Sequence, residues 1–299
     1  MSKAQIQAGR FTLTLDRTLL MGVVNLTSDS FSRDGRLQIS RKPSAHARFA
    51  RQLIKDGADI IDLGGESTRP GAVPVSAEEE LKRILPALRL LAPQSVPISV
   101  DTYKPEVAQA ALDAGASLIN NIMGTKTNRR LLTMVRNYGA AVVLMHMRGT
   151  PQTMQSKTRY RNVVKDIVEK LRICVDFCLE IGIKKDRIII DPGIGFAKTA
   201  EQNLLILNRL EEFKVLKIPI LIGTSRKSFI GKILGNGTHD RAWGTAATVS
   251  TAICRGADIV RVHDVAAMKQ VAAMTDAICH PERSEGSFHG QILRPKASE

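Results

Sequence analysis

Two carboxylates, an amide, a lysine and an arginine–histidine pair each close a short apolar run in this 299-residue sequence. Asp101 follows Pro97-Ile98-Ser99-Val100, and Asp191 follows Ile188-Ile189-Ile190 and precedes Pro192-Gly193. A carboxylate at the end of a buried run is costly unless it is paired or used. One such aspartate reads as half of a structural ion pair. Two of them, with Asn120 ending a third run, make a set of acceptors and amides. That set suits a flat heterocycle with an amidine-like N–H edge, because a carboxylate accepts two parallel N–H bonds from it. Lys227 lies in Gly223-Thr224-Ser225-Arg226-Lys227-Ser228. Ser228 there would open a helix, whose N-terminus favours an anion. Arg261 and His263 alternate, so in a strand they share a face. Together with Asn25 they suit a diphosphate, Asn25 helping to ligate Mg²⁺.

These residues need a scaffold that collects strand ends. Eight apolar runs recur, over 19–27, 58–65, 97–103, 117–122, 140–147, 187–193, 219–225 and 258–264, with helix-length segments between them. Eight strand–helix units predict an α/β fold, a (β/α)8 TIM barrel with its site at the C-terminal strand ends. Those ends read Asn25, Glu66, Asp101, Asn120, His146, Asp191, Lys227 and the Arg261/His263 pair. Gly-Ala pairs at 57–58, 115–116 and 256–257 predict helix C-caps feeding directly into buried strands.

The organisation expected is a single barrel over 19–277, a short N-terminal hairpin within 1–18 and an irregular, disordered C-terminal tail over 278–299. Residues 11–15 and 18–20, around Asp16-Arg17, alternate like a hairpin fit to cover the barrel bottom. Two connections, 27–43 and 66–76, exceed the usual span of about 2–6 residues and read as lids or binding loops. Ser76 with Glu79 is a capping box that ends the second of them.

Bulk composition narrows the function classes. An apolar content of 43% suits one globular core, and aromatics at 4% leave that core to aliphatic residues. The net charge of +14 favours acidic partners. Lys and Arg are spread along the chain without interleaved aromatics, which argues against nucleic acid and for a solubilising charge. Four cysteines, with no CxxC pair, are expected as reduced, partly buried thiols. Residues 1–10 show no apolar leader pattern, and no apolar run reaches the roughly 18 residues of a membrane span. The expectation is a soluble cytoplasmic protein. Taken singly, His146, beside Met145, is expected to line the barrel mouth. Arg148 reads as a solvated charge, Arg69 as a surface charge or a mobile contact to an anionic substrate, and Phe31 as a staple or a substrate cover.

Six segments in order bring out a resemblance. They are Met21-Gly22-Val23-Val24-Asn25-Leu26-Thr27 with Asp29-Ser30-Phe31-Ser32, Gly64-Gly65-Glu66-Ser67-Thr68-Arg69-Pro70-Gly71, Ser99-Val100-Asp101-Thr102, Asp191-Pro192-Gly193-Ile194-Gly195-Phe196, Ser225-Arg226-Lys227 and Arg261-Val262-His263-Asp264-Val265. On these the chain resembles the dihydropteroate synthase family over almost its whole length. The resemblance implies that 4-aminobenzoate attacks the methylene of 6-hydroxymethyl-7,8-dihydropterin diphosphate, giving 7,8-dihydropteroate and diphosphate in folate synthesis. It implies catalytic roles for Asp101, Asp191, Lys227, Arg261 and His263, with Asn120, Met145 and Gly223 also lining the substrate. Phe31, Thr68, Arg69, Pro70, Phe196 and Ser228 would form the aminobenzoate side, and Asn25 would bind Mg²⁺. It also implies a homodimer.

The chain departs from the family pattern at Ser28, at Arg33 and at Asn121, where an aspartate is usual. A related barrel that moves a methyl group from methyltetrahydrofolate to a corrinoid protein shares the carboxylates. It has no use for the diphosphate residues or the Ser-Thr-Arg-Pro-Gly loop. A non-catalytic, nucleic-acid-binding basic protein would leave the strand-end residues without a purpose.

Overall fold

A computed structural model describes residues 4–27, 42–124, 128–235 and 241–280. Two short strands, β1 (Gln5–Ala8) and β2 (Phe11–Thr14), pair antiparallel at the N-terminus. Eight parallel strands follow: β3 (Leu19–Asn25), β4 (Ile60–Gly64), β5 (Ile98–Asp101), β6 (Leu118–Asn121), β7 (Ala141–Met145), β8 (Ile188–Asp191), β9 (Leu221–Ile222) and β10 (Ile259–Val262). Their order is β8-β7-β6-β5-β4-β3-β10-β9. A parallel bridge between Ile190 and Ile220 joins β8 to the β9 side, which closes the ring. This is the expected (β/α)8 barrel.

The helices are α1 (Pro43–Asp56), α2 (Ala77–Leu91), α3 (Pro105–Asp113), α4 (Arg129–Asn137), α5 (Val163–Ile181), α6 (Ala200–Asn208), α7 (Ser228–Ile233), α8 (Ala242–Cys254) and α9 (Val265–Cys279). Strand alternation sorts the aliphatic residues into two layers. Leu20, Val24, Ile61, Leu63, Val100, Ile119, Val142, Leu144, Ile190 and Val260 face outward and pack with the helices. Leu19, Met21, Ile60, Leu118, Val143, Ile189, Leu221 and Ile259 face inward and fill the lower barrel. Ile6 and Ala8 of the hairpin join that inner cluster, so the hairpin does plug the N-terminal end. The three Gly-Ala pairs also behave as expected, with Gly57, Gly115 and Gly256 at φ of 107°, 100° and 96°.

Four expectations need correction. The hairpin turns at Gly9-Arg10, not at Asp16-Arg17, because Gly9 supplies the left-handed φ of 58°. Arg17 is instead engaged by Asp59, and Thr18 already leads into the barrel, bonded to Asp276 through its amide and hydroxyl. Ser76 caps α2 as expected by accepting the Glu79 N–H, but the Glu79 carboxylate turns to Arg83 rather than back to Ser76. The reciprocal box is found instead at Thr199 and Gln202, opening α6.

The cysteines are the third case. Cys174 and Cys178 are free thiols, pushed up by burial to about 11 and about 12. Cys254 and Cys279 are joined in a disulfide, their Cα atoms 5.4 Å apart. The C-terminal ends of α8 and α9 lie side by side, which brings together two residues 25 apart in sequence. Last, α9 runs through Cys279, two residues beyond the expected limit of the barrel at 277. Among the described residues no helix is long and apolar enough to cross a membrane.

Candidate active site

Alternation carries the inner face of each strand from the aliphatic layers up to polar residues at the C-terminal rim. Asn25 pairs in register with Gly64, Gly64 with Asp101, and Asp101 with Asn120. Asn120 in turn pairs with Val143, and two residues further along β7 Met145 pairs with Asp191. Gly64 has no side chain to fill its inner position, which is flanked by Asn25 Oδ1 and Asp101 Cβ. The rim residues of β3 to β6 thus form one level, open at Gly64, and Met145 and Asp191 stand above it. Asp101, Asn120 and Asp191 are all buried there.

Asp62 stands one inward step below that level and organises it. Its side chain is completely buried. Oδ2 accepts from Arg261 Nε at 2.7 Å and from Asn120 Nδ2 at 3.0 Å, while Oδ1 accepts from Ser99 Oγ at 2.6 Å. Arg261 Nη2 donates to Asp101 at 3.2 Å. The guanidinium therefore lies between two carboxylates. Burial works against its charge, and Asp62 and Asp101 more than offset that. Burial and the charge of Asp62 hold the Asp101 carboxyl well above the usual carboxylate range, with Arg261 acting in the opposite sense. Asp191 is also raised by burial, against the N–H of Gly193, which it accepts at 2.7 Å.

The turn after β8 is built for close approach. Gly193 has a φ of 72°, and a Cβ there would meet the His146 carbonyl oxygen at 2.0 Å. Lys198 is buried and donates to the carbonyls of Gly193 and Phe196 at 2.9 and 2.8 Å, with its Nζ 3.2 Å from His146 Nδ1. Burial pulls this lysine down to about 7. The turn sets the Phe196 ring 3.9 Å from Lys227 Nζ. Burial, then Arg261, lowers Lys227 to about 8. Phe196 and Met145 belong to one small apolar cluster with Ile122, Met147 and Met154. This is the flat, soft wall that a planar ring needs beside a ring of polar groups.

His263 follows β10 on the inner parity of Arg261, and its Nδ1 lies 2.9 Å from Ser225 Oγ. Burial, then the neighbouring Arg226 and Arg261, lowers it to about 3, so it is a neutral imidazole at pH 7. Gly223 leaves the space beside the Arg261 stem unfilled. Ser228 begins α7, as expected. Thr68 is half-buried, whereas Arg69 and Pro70 are exposed in the loop after β4. Phe31, Ser28 and Arg33 lie outside the described residues. His146 is buried, its Nδ1 3.2 Å from Lys198 Nζ, and kept neutral by burial and by Lys198. Arg148 is more than a solvated charge, since its guanidinium stacks 3.8 Å over the Tyr160 ring. Asn121 is buried, its Oδ1 accepting the Met123 N–H.

The pterin binding enzyme family matches residues 21–263, from within β3 through β10. The dihydropteroate synthase of Synechocystis is 47% identical over 264 residues, covering 88% of this chain and 90% of that protein. The chain belongs to the dihydropteroate synthase family. Two solved structures of family members agree in fold. The Xanthomonas albilineans synthase with 4-aminobenzoic acid has a TM-score of 0.84 at 38% identity, covering 93% of this chain and 98% of its own. The Burkholderia cenocepacia synthase complexed with 7,8-dihydropteroate has a TM-score of 0.83 at 38% identity, covering 95% and 99%.

Within this family frame the sequence reading overlooked two residues, Asp62 and Lys198. Asp62 carried a usable signal, being a lone carboxylate inside the run Ile60-Ile61-Asp62-Leu63 on the same parity as Gly64. Lys198 carried none, because its burial comes from the fold of a turn rather than from a periodic pattern.

Proposed function

We propose that this chain performs the family reaction, joining 6-hydroxymethyl-7,8-dihydropterin diphosphate to 4-aminobenzoate. The observation that carries the reading is the polar ring of buried Asp62, Asp101, Asn120 and Asp191 with half-buried Lys227 and Arg261, closed on one side by Phe196 and Met145. The carboxyls of Asp101 and Asp191 accept N–H bonds from the pterin edge, and Asn120 and Lys227 meet its carbonyl and ring nitrogens. The pterin N–H donors stabilise the ionised carboxylates and so bring Asp101 and Asp191 back down. Arg261 and His263, beside Asn25, receive the diphosphate. His263 enters as a neutral donor, and the arriving anion raises its proton affinity.

The methylene carbon–oxygen bond breaks with its electron pair going to the diphosphate. The developing positive charge faces Asp101 and Asp191, fixed in a site that needs no reorganisation. The arylamine lone pair forms the new carbon–nitrogen bond, and its proton leaves to solvent or to diphosphate. The amine needs positioning rather than a strong base. Thr68, Arg69, Pro70 and Ser228 flank its entry, with Phe31 on the same side in the family pattern.

Mg²⁺ fits this donor set. Magnesium is usually held by one or two protein oxygens together with substrate phosphates. The Asn25 amide oxygen at the rim is a hard donor of that kind. When bound, the ion would neutralise charge on the leaving diphosphate.

A homodimer is part of the same reading. Trp243 at the start of α8 is 84% exposed, and Ile233 and Leu234 at the end of the adjoining α7 are about half exposed. A second copy covering this apolar face accounts for it, and the mass in solution checks it.

The reaction is tested by mixing the protein with the pterin diphosphate and Mg²⁺, with and without 4-aminobenzoate. Diphosphate release that depends on aminobenzoate, with 7,8-dihydropteroate as product, supports the reading. Substrate turnover that ignores aminobenzoate contradicts it.

A further inference from the structure

Glu66 ends the β4 unit in the sequence pattern, yet the polar ring does not use it. Its carboxylate is buried and fully engaged elsewhere. Oε1 accepts from Tyr103 Oη at 2.9 Å. Oε2 accepts from Lys104 Nζ at 2.5 Å and from the backbone N–H of Val75 at 3.0 Å. Lys104 Nζ lies as close to Glu80, which is buried on the first turn of α2. Arg83 of α2 donates to the Gly65 carbonyl at 2.9 Å. These bonds tie the start of the β4–α2 loop, at Gly65 and Glu66, to its end, at Val75. They also fasten both ends to the segment after β5.

The loop between those ties carries Thr68, Arg69 and Pro70. Ala72 N–H donates within the loop to Arg69 O, and Gly71 N–H donates to Pro151 O at 3.1 Å. Arg69, Pro70, Gly71, Val73 and Pro74 are exposed. A loop of this kind has little apolar burial to fix its shape, so its conformation depends on how its ends are held.

We propose that Glu66 is a positioning residue for the aminobenzoate side of the site. By bonding Val75 and Lys104 through one oxygen, it clasps loop 67–75 in the form that presents Thr68, Arg69 and Pro70 to the arylamine. The proposal rests on the reaction assigned above for the identity of that substrate. The Lys104 ammonium bridges the two buried carboxylates of Glu66 and Glu80, so the clasp joins the loop start to α2 through one charge. A fall in the fraction of competent loop from near one to about a tenth raises the apparent dissociation constant of the ligand about tenfold.

The test is Glu66→Gln in the full chain, read by amide hydrogen exchange and by both Michaelis constants. The glutamine keeps the shape and removes the charge. The expected result is exchange at Val75 and across 67–75 faster by about tenfold or more, with the rest of the barrel unchanged. The KM for 4-aminobenzoate rises about tenfold, and the KM for the pterin diphosphate changes less than twofold. Tyr103→Phe removes one bond and keeps the ammonium clasp, so it gives a smaller change in the same direction. It also serves if the glutamine variant folds poorly.

Unchanged exchange at Val75 overturns the proposal. Equal rises in both Michaelis constants also overturn it, since they indicate general loosening. Should the parent protein lack aminobenzoate-dependent turnover, the assigned reaction fails by itself. The exchange pattern of 67–75 then still decides whether the clasp exists.

Discussion

Replacing Asp62 by asparagine removes the charge that holds Arg261 and Asn120 in place. The carboxylate accepts three side-chain bonds, from Ser99, Asn120 and Arg261, and has no exposure to water. An asparagine of the same shape offers one acceptor oxygen and one NH2 donor. Its NH2 group must therefore face a donor, either Ser99, which can rotate, or the Arg261 and Asn120 nitrogens, which cannot. Breaking a buried pair by removing one partner costs about 3–5 kcal/mol. Arg261 keeps Asp101 at 3.2 Å, which offsets part of that loss. A net loss of about 2–4 kcal/mol in folding stability follows, and kcat/KM falls well beyond threefold as Arg261 and Asn120 lose their positions.

A second readout is independent of that magnitude. Asp62 is one of the groups that raises Asp101, after burial. Removing its charge lowers the Asp101 pKa, so the acid limb of the pH profile for pterin diphosphate binding moves to lower pH. The assay is steady-state diphosphate release from pH 5 to 9, with folding checked by denaturant unfolding. A folded Asp62→Asn protein within threefold of the parent, with an unmoved acid limb, refutes the argument that Asp62 organises the ring.

Other perturbations follow from the same geometry. Asp101→Asn should reduce turnover far more than pterin affinity, measured by single-turnover rates beside equilibrium binding; equal losses count against an electrostatic role. Cys254→Ser should lower stability by up to about 3 kcal/mol by the loop-closure argument for a bridge of this span. Mass analysis with and without reductant checks that the bond is present. His263 has a folded pKa of about 3 against an ordinary 6.5, so the unfolded chain binds more protons between those values. Its contribution to stability is therefore lost as the pH falls from about 6.5 toward 3, and unfolding of His263→Gln should lack that part of the acid sensitivity.

The barrel was legible in the sequence because its signal is repeated. Eight apolar runs, each closing on a polar residue, leave few other architectures. The register that levels Asn25 with Gly64, Asp101 and Asn120 was not legible, since strand parity fixes only which face each residue takes and the sequence pattern ends the second run at Glu66. The polar rim residues were legible as the runs were, since each breaks an apolar run at its end. Asp62 interrupts its run in the middle, two positions before the end, and only the alternation of inner and outer faces marks it as part of the site. Other features depend on chain segments meeting in space. The Cys254–Cys279 bond needs the ends of α8 and α9 to be adjacent, and the Lys198 clamp needs the turn at Gly193 to press against His146. The charge state of His263 was similarly hidden. A histidine near a diphosphate suggests a cation, but burial among Arg226, Arg261 and Lys227 makes it neutral until the anion arrives.

The central claim is that the inner-face ring, not another surface, seats the pterin diphosphate. A crystal structure of the protein with the pterin diphosphate and Mg²⁺ tests this most directly. The account predicts the pterin N–H edge within hydrogen-bond distance of Asp101 and Asp191, its face against Met145, Phe196 between it and the aminobenzoate side, and the diphosphate reached by Arg261, His263 and Asn25. Pterin bound away from the strand ends, with no diphosphate beside Arg261, would contradict it.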